Sequence, residues 1–284
     1  MRKLLTVLAL VAGSALAETA ALEQARSLYQ KTRYAEALKV IESLPQADGA
    51  RWELAGRCRY MLDDFKGATE AFEKALAAEP KNSVYANWLG KAHGRRAETS
   101  SFLTAPGQAK KARQAFEKAV ALDPRNLEAV GDLFEYYLEA PGFLGGGAEK
   151  AAELAERSKD LNPAEYHFFF AKLAEKRKDL KTAEAEYQRA IELAPGQVGR
   201  VIDLARFLAK QGRHEESDAA FRQAEKIAPG APKLLFAQAS TYVRSKRNLG
   251  TARSLLERYL TLALTPDDPP RREAERLLKE ARTG

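Results

Sequence analysis

Residues 52–80 read WELAGRCRYMLDDFKGATEAFEKALAAEP. Trp52 and Gly56 lie one turn apart on a first helix, and Asp63-Asp64 supplies polar turn chemistry. Phe65, Ala68, Phe72 and Ala75 then recur at steps of three and four, which builds one apolar face of a second helix. Pro80 stops that helix, because proline cannot continue it. Small Gly56 and Ala68 allow the two helices to approach closely, while Phe65 and Phe72 fill the space around them. The phrase recurs. Pro80, Pro124, Pro163, Pro195 and Pro229 each close a similar stretch, at gaps of 44, 39, 32 and 34 residues. A period in the thirties marks one supersecondary unit stacked several times, not a chain folded around a single core.

The phrase resembles the tetratricopeptide repeat family, whose signature is W-x2-L-G-x2-Y followed by A-x3-F-x2-A-x4-P. Trp52, Gly56, Ala68, Phe72, Ala75 and Pro80 match at the right spacing, while Ala55 fills the leucine slot and Arg59 the tyrosine slot. Leu89-Gly90 opens a further unit that ends in Ala112, Phe116, Ala119 and Pro124. Ala183, Tyr187, Ala190 and Pro195 close another, and Leu204-Ala205, Leu208, Gly212, Phe221, Ala224 and Pro229 make a third. Tyr34, Ala37 and Ile41 mark a shortened first unit. Leu133 and Tyr137 open a degenerate fourth that closes with Ala151, Ala155 and Pro163, and Ala239, Tyr242, Ala252 and Leu256 give a weak last one. The resemblance covers residues 19–265. It implies an all-α solenoid of about seven helix-turn-helix repeats with no central sheet, occupying residues 18–265. Residues 266–284 are expected to add a capping helix. There Asp268 stands at the helix start, and Ala274, Leu277, Leu278 and Ala281 form one apolar edge to cover the open end of the stack.

The first seventeen residues read as a separate object. Arg2 and Lys3 precede the apolar run Leu4–Ala12, and Ala15-Leu16-Ala17 offers a small-x-small cleavage site. This is the pattern of a secretory signal peptide cut after Ala17, and the run is too short for a membrane span of about 20 residues. The expected location is therefore periplasmic or secreted. The formal charge of +7 includes Arg2 and Lys3, and their removal leaves 44 bases against 39 acids. A mildly basic exported chain meets cell-wall polymers, membrane faces or acidic proteins rather than nucleic acid. Cys58 is the only cysteine, so no internal disulfide forms; it reads as a small apolar residue on a helix, with a reactive or intermolecular thiol as the alternative.

Two units depart from the period. One carries an insertion near residues 95–108 (RRAETSSFLTAPG), with its first helix expected to end near Gly94 and its second to start near Gln108. The other carries APGFLGGGAEK near residues 140–148. Both insertions fall between the two helices of a unit, and equivalent turns of adjacent units lie side by side along one edge of a solenoid. Each holds a Phe-Leu pair (Phe102-Leu103 and Phe143-Leu144) beside a Pro-Gly pair. The pairs either tuck down over the core beneath them or form one partner-binding lip. The glycine run is not a phosphate loop, since Ala148-Glu149 follows it where Lys and Ser/Thr are required. It reads as a turn needing positive φ or close backbone contact.

In the tetratricopeptide family the first helix of each pair lines the concave face. Five of the seven units put a cation directly after the small first-helix residue: Arg26, Arg57, Lys91, Lys172 and Arg206. One residue is a 100° step around a helix, so these side chains leave the packed seam and point to a shared face. The resemblance thus implies a basic groove suited to an acidic peptide, to which Tyr60 and Asn87 add hydrogen bonds. Glu135 takes the place of the cation in the fourth unit.

Nothing in the chain reads as catalytic machinery. His93, His167 and His214 sit in three different units, none in a metal-ligand spacing, with His167 read as a packing residue. Dinucleotide, nucleophile-elbow and Cys-x-x-Cys motifs are missing, and neither a metal nor a cofactor is expected. The function expected is a non-catalytic exported scaffold that binds a protein or peptide through the groove and the inserted loops. The alternative is a periplasmic small-anion-binding or transport-accessory protein, and an envelope assembly factor is a variant of the first reading.

Overall fold

The computed structural model describes residues 18–44 and 48–283, which hold helices and no strand. The leader read in residues 1–17 lies outside the described residues. In chain order the helices are α1 (18–30), α2 (Tyr34–Glu42), α3 (Gly49–Met61), α4 (Phe65–Ala78), α5 (Ser83–Thr99), α6 (Ala105–Leu122) and α7 (Leu127–Glu139). A short 3-10 turn, Gly142–Leu144, follows. Then come α8 (Ala148–Glu156), α9 (Pro163–Lys176), α10 (Leu180–Leu193), α11 (Val198–Lys210), α12 (His214–Ile227), α13 (Pro232–Arg244), α14 (Leu249–Thr261) and α15 (Arg271–Thr283).

The same local chemistry repeats along the chain. Four of the spaced prolines stand two residues past a helix end, after α4, α6, α10 and α12. Asn82 and Asn126, two residues beyond Pro80 and Pro124, accept backbone N–H groups and cap the next first helices. Pro163 behaves differently from the sequence expectation. It closes no helix, because α8 stops at Glu156; it opens α9 in the first turn, behind the Asn162 cap. The turns inside the pairs repeat as well. Thr32, Asp63, Lys178 and Gly212 all take positive φ, and each is followed by the residue that precedes the second helix. Of these, Asp64 and Asp179 cap α4 and α10 through Gly67 and Thr182.

The chain divides into two compact units, up to Gly146 and from Gly147. In the first, α3 packs on α4, α4 on α5, α5 on α6 and α6 on α7, and the first helices α3, α5 and α7 also touch in sequence. In the second, successive helices from α8 to α15 pack in the same way, with α11 on α13 and α13 on α15. Each unit is therefore a solenoid-type stack in which every hairpin contacts its neighbours. The slot after the turn is filled by Ala37, Ala68, Ala112, Ala151, Ala183, Ser217 and Ala252, all fully buried. On the facing helix, a Cβ at Gly56 would lie 2.7 Å from the Phe72 ring, and one at Gly90 would lie 2.5 Å from Phe116. The small residues of the signature are thus imposed by ring-to-backbone contact.

The first insertion is absorbed differently from the expectation. Helix α5 continues past Gly94 to Thr99, and α6 starts at Ala105, so only residues 100–104 are loop. Arg95, Arg96, Ala97 and Glu98 favour helix, Gly94 meets no neighbouring atom, and Pro106 is tolerated in a first turn. The extra residues lengthen both helices. At the C-terminal end, α15 buries Ala274, Leu277, Leu278 and Ala281 against the end of the stack. Asp268 does not cap it. Its carboxylate accepts instead from the backbone N–H and hydroxyl of Thr265.

Cys58 is fully buried in the α1–α3 core, and burial pushes its thiol up to about 12. The thiolate is the reactive form. The native chain is expected to react with Ellman's reagent at least about 100-fold more slowly than the guanidinium-unfolded chain. Rapid native labelling would place Cys58 at the surface.

Candidate functional site

In the first unit the expected groove residues gather around a side chain that the signature did not single out, Trp88 on α5. The Phe72 ring stacks on it at 5.8 Å, and Tyr60 meets it edge-on at 5.5 Å. The Arg57 guanidinium lies 4.7 Å and the Lys91 ammonium 5.0 Å from the indole centroid, within cation–π range. Both cations are paired. Arg57 meets Glu53 one turn earlier, and Lys91 reaches Glu128 at 2.6 Å and Asp132 at 3.2 Å on α7. Asn87, fully buried, donates through Nδ2 to the same Asp132 carboxylate at 2.8 Å. Burial raises the Asp132 carboxyl above its usual range, although Lys91 and Asn87 pull the other way. Burial lowers the Lys91 ammonium, but Asp132 and Glu128 outweigh it, and the net shift is upward. Arg26 is exposed on α1 beside Glu23 at 3.7 Å, and Glu135 is exposed on α7.

This face is a ladder of alternating charge around an aromatic centre, and the row of cations expected from the sequence is compensated. Only the Glu53–Arg57 pair is legible by helical period; Glu128 and Asp132 share a face of their own helix, but nothing local joins them to Lys91. Glu53 and Arg57 are four apart on one face, as are Glu128 and Asp132, and Trp88 stands three before Lys91.

In the second unit Lys172 and Arg206 come together. Both line a cleft of about 650 Å³ with Glu175, Asp203, Lys210 and Arg244. Arg206 faces Asp203 at 3.6 Å, and Lys210 donates to Glu175 at 2.7 Å. Burial would raise the Glu175 carboxyl, but hydrogen bonds from Lys210 and Tyr187 and the charge of Lys172 hold it below its ordinary range. Four cations against two carboxylates leave this cleft positive.

The inserted loops make a third feature, whose exposed side chains lie in the first unit. Residues 101–104 form a tight turn closed by Thr104 and Ala105 N–H groups on the Ser101 carbonyl. It holds Phe102 83% and Leu103 77% exposed. In the second loop, Gly145 ends the 3-10 turn at φ 89°, a left-handed conformation that favours glycine. A Cβ on Gly146 would sit 1.9 Å from the Ala140 carbonyl oxygen, a backbone contact that no side-chain shift relieves. Tyr136 donates to the Leu144 carbonyl at 3.0 Å. These constraints present Phe143 82% exposed, with Leu144 half-buried. The tucked arrangement weighed from the sequence therefore fails for three of the four side chains. The loop and the first turns of α6 enclose a cleft of about 470 Å³ whose walls include Pro106, Lys110, Arg113 and Phe143.

The histidines carry no metal geometry. His93 is buried, with Nδ1 2.9 Å from the Gln108 side-chain oxygen. His167 is half-buried; its ring meets Tyr166 edge-on at 5.0 Å, and its Nδ1 lies 2.6 Å from the Glu186 carboxylate. No group of three or more His, Cys, Asp or Glu side chains fit to hold a metal is present among the described residues. No helix among them is long and apolar enough to cross a membrane.

Family models described as tetratricopeptide repeat match residues 22–83, and again residues 164–197 and 202–230. The matched segments coincide with the helix pairs α1–α2, α3–α4, α9–α10 and α11–α12. The chain carries tetratricopeptide repeats. A thermophilic tetratricopeptide repeat protein from Thermus thermophilus is similar in structure, with a TM-score of 0.53 at 22% identity over 67% of this chain and 98% of that one. A tetratricopeptide repeat protein from Parabacteroides merdae aligns over 93% of this chain and 98% of its own, with a TM-score of 0.59 at 13% identity. At such identities these likenesses speak to fold alone. No curated protein matches the sequence significantly. The matched segments of this tetratricopeptide repeat protein flank the stretch that carries both insertions.

Proposed function

We propose that this tetratricopeptide repeat protein is an exported, non-catalytic scaffold that holds an acidic segment of a protein partner against its first-helix face, with the inserted loops as a second contact surface. The family's scaffold-type fold suits protein–protein interaction. The leader pattern of residues 1–17 supports export. The observation that carries the choice of partner is the positive cleft on α9, α11 and α13, where Lys172, Arg206, Lys210 and Arg244 face Glu175 and Asp203. Charge-assisted hydrogen bonds to carboxylates are the strongest contacts such a surface offers. The ladder around Trp88 adds a site of a different kind, with an indole flanked by two cations that three carboxylates answer.

The volume of the same cleft, about 650 Å³, falls in the range of small-ligand sites and favours a second reading, a pocket for a small organic anion. Fluorescence anisotropy of a labelled twelve-residue Glu/Leu peptide separates the two. The double charge reversal Lys172→Glu/Arg206→Glu is expected to weaken peptide binding at least about tenfold, since losing or inverting charged contacts costs about 2 kcal/mol or more. Unchanged affinity in the variant would remove the groove reading. A thermal upshift by citrate, without peptide binding, would select the small-anion pocket.

A further inference from the structure

We infer that the two-loop lip of the first unit is a docking surface for an anionic phospholipid bilayer. This goes beyond the scaffold reading, because it gives the second contact surface a ligand of its own. The argument starts from the exposed side chains. Phe102, Leu103 and Phe143 are each more than three-quarters exposed, at the tips of the turns that join α5 to α6 and α7 to α8. Exposed apolar side chains that protrude together mark an interaction surface. They are held out by construction: the Ser101 turn, the left-handed Gly145, the backbone contact at Gly146 and the Tyr136 hydrogen bond fix both loops.

Charge chooses among the occupants. Between Glu98 and Glu117 the chain has no acidic residue but carries Lys110, Lys111 and Arg113, and residues 140–148 have no acid either. Neither Lys110 nor Lys111 enters an ion pair among the described residues, and Arg113 shares its charge only with Glu117 at 3.2 Å. The groove cations of this unit are compensated; of the three lip cations only Arg113 is. Lys110 and Arg113 stand in the wall of the cleft beside Phe143, one step back from the tips. Apolar tips with a cationic collar behind them match the layering of a bilayer, in which acyl chains lie beneath a sheet of phosphates.

The test uses the chain from Glu18 to Gly284 with unilamellar vesicles of phosphatidylcholine, alone or with 30 mol% phosphatidylglycerol. Co-sedimentation is expected to show binding to the anionic vesicles at least tenfold tighter than to the neutral ones, weakened severalfold by 0.5 M salt. The variant Phe102→Ser/Leu103→Ser/Phe143→Ser is expected to lose at least tenfold in affinity while melting as the parent does. Separately, Phe143→Trp is expected to show a blue-shifted emission difference against the parent when anionic vesicles are added, and none with glycerol phosphate. Equal vesicle binding by the triple variant overturns the proposal. So does an emission from the introduced indole that ignores vesicles, or one that shifts only with the acidic peptide, which would make the lip a protein site. The groove test involves another unit and another probe, so either reading can fail without the other.

Discussion

Phe72→Ala is expected to cost about 3–5 kcal/mol in urea-induced unfolding, the range for truncating a buried aromatic ring. The ring is fully buried and sits at the junction of three helices. It rises from α4, meets the bare backbone of α3 at Gly56, and stacks on Trp88 of α5. Truncation removes the transfer free energy of the ring and opens a cavity that neither neighbour can fill. Gly56 has no side chain to move in, and Trp88 is tied by Tyr60, Arg57 and Lys91. In a stack held by nearest-neighbour contacts, the second and third hairpins lose both the packing within a pair and the packing between pairs. Phe102→Ala is the matched control. Its ring is 83% exposed, so its removal is expected to stay within about 0.5 kcal/mol. A cost below about 1 kcal/mol for Phe72→Ala would mean that this junction does not hold the repeats together.

The same junction explains why the fold is readable in the sequence and much of the site is not. Where a residue type is forced by contact, the sequence shows it. Gly56 under Phe72, Gly90 under Phe116 and the buried alanine slot return at the repeat period because any larger group collides. The slot is less visible at Ser217, which is fully buried yet polar. Pro163 misleads because proline is equally at home just after one helix and in the first turn of the next. Gly94 is a weaker helix stop than its type suggests, since an open glycine costs a helix only about 1 kcal/mol, and the residues after it favour helix.

Groove positions are a different case. The cations follow from their offset to the seam, but their net effect depends on acids from the neighbouring helix pair. Lys91 is answered by Glu128 and Asp132, 37 and 41 positions further on, and no local pattern joins them. The exposed state of Phe143 is similarly closed to sequence reading. It depends on Gly145, Gly146 and Tyr136 fixing the backbone, and not on the apolar residues themselves.

Asp218→Ala is expected to cost about 2–3 kcal/mol at pH 7, with a stability gap that closes as the solution is acidified. Asp218 on α12 accepts two hydrogen bonds from the Arg247 guanidinium, at 2.9 and 2.7 Å, and a third from the Tyr242 hydroxyl at 2.9 Å. Tyr242 lies on α13, and Arg247 lies in the turn that leads to α14, with its guanidinium 4.6 Å from the tyrosine ring. One carboxylate therefore ties the sixth helix pair to the seventh. Its removal leaves a largely covered guanidinium and a phenol hydroxyl without their acceptor, and the loss of those partners dominates the cost. The Arg247 hydrogen bonds hold the Asp218 carboxyl below its usual value of 3.8, against the opposing pull of burial. A carboxyl depressed in the folded state contributes stability that is fully present above the unfolded value, near about 3.9, and is lost as the pH falls through the folded one. Denaturant titrations at pH 7, 4 and 3 are therefore expected to show parent and variant converging at the acid end. The charge-neutral Asp218→Asn keeps the shape and is expected to have the flatter acid limb. A gap that stays constant from pH 7 to 3 would show that the carboxylate's charge plays no part. Glu165 provides the internal contrast. It is paired with Arg200 in the same unit, but burial raises its carboxyl above the ordinary range despite that pairing. Its contribution has the opposite sign, full below the unfolded value and lost as the pH rises through the raised one, so the Asp218 and Glu165 pairs tilt the pH profile of this unit in opposing directions.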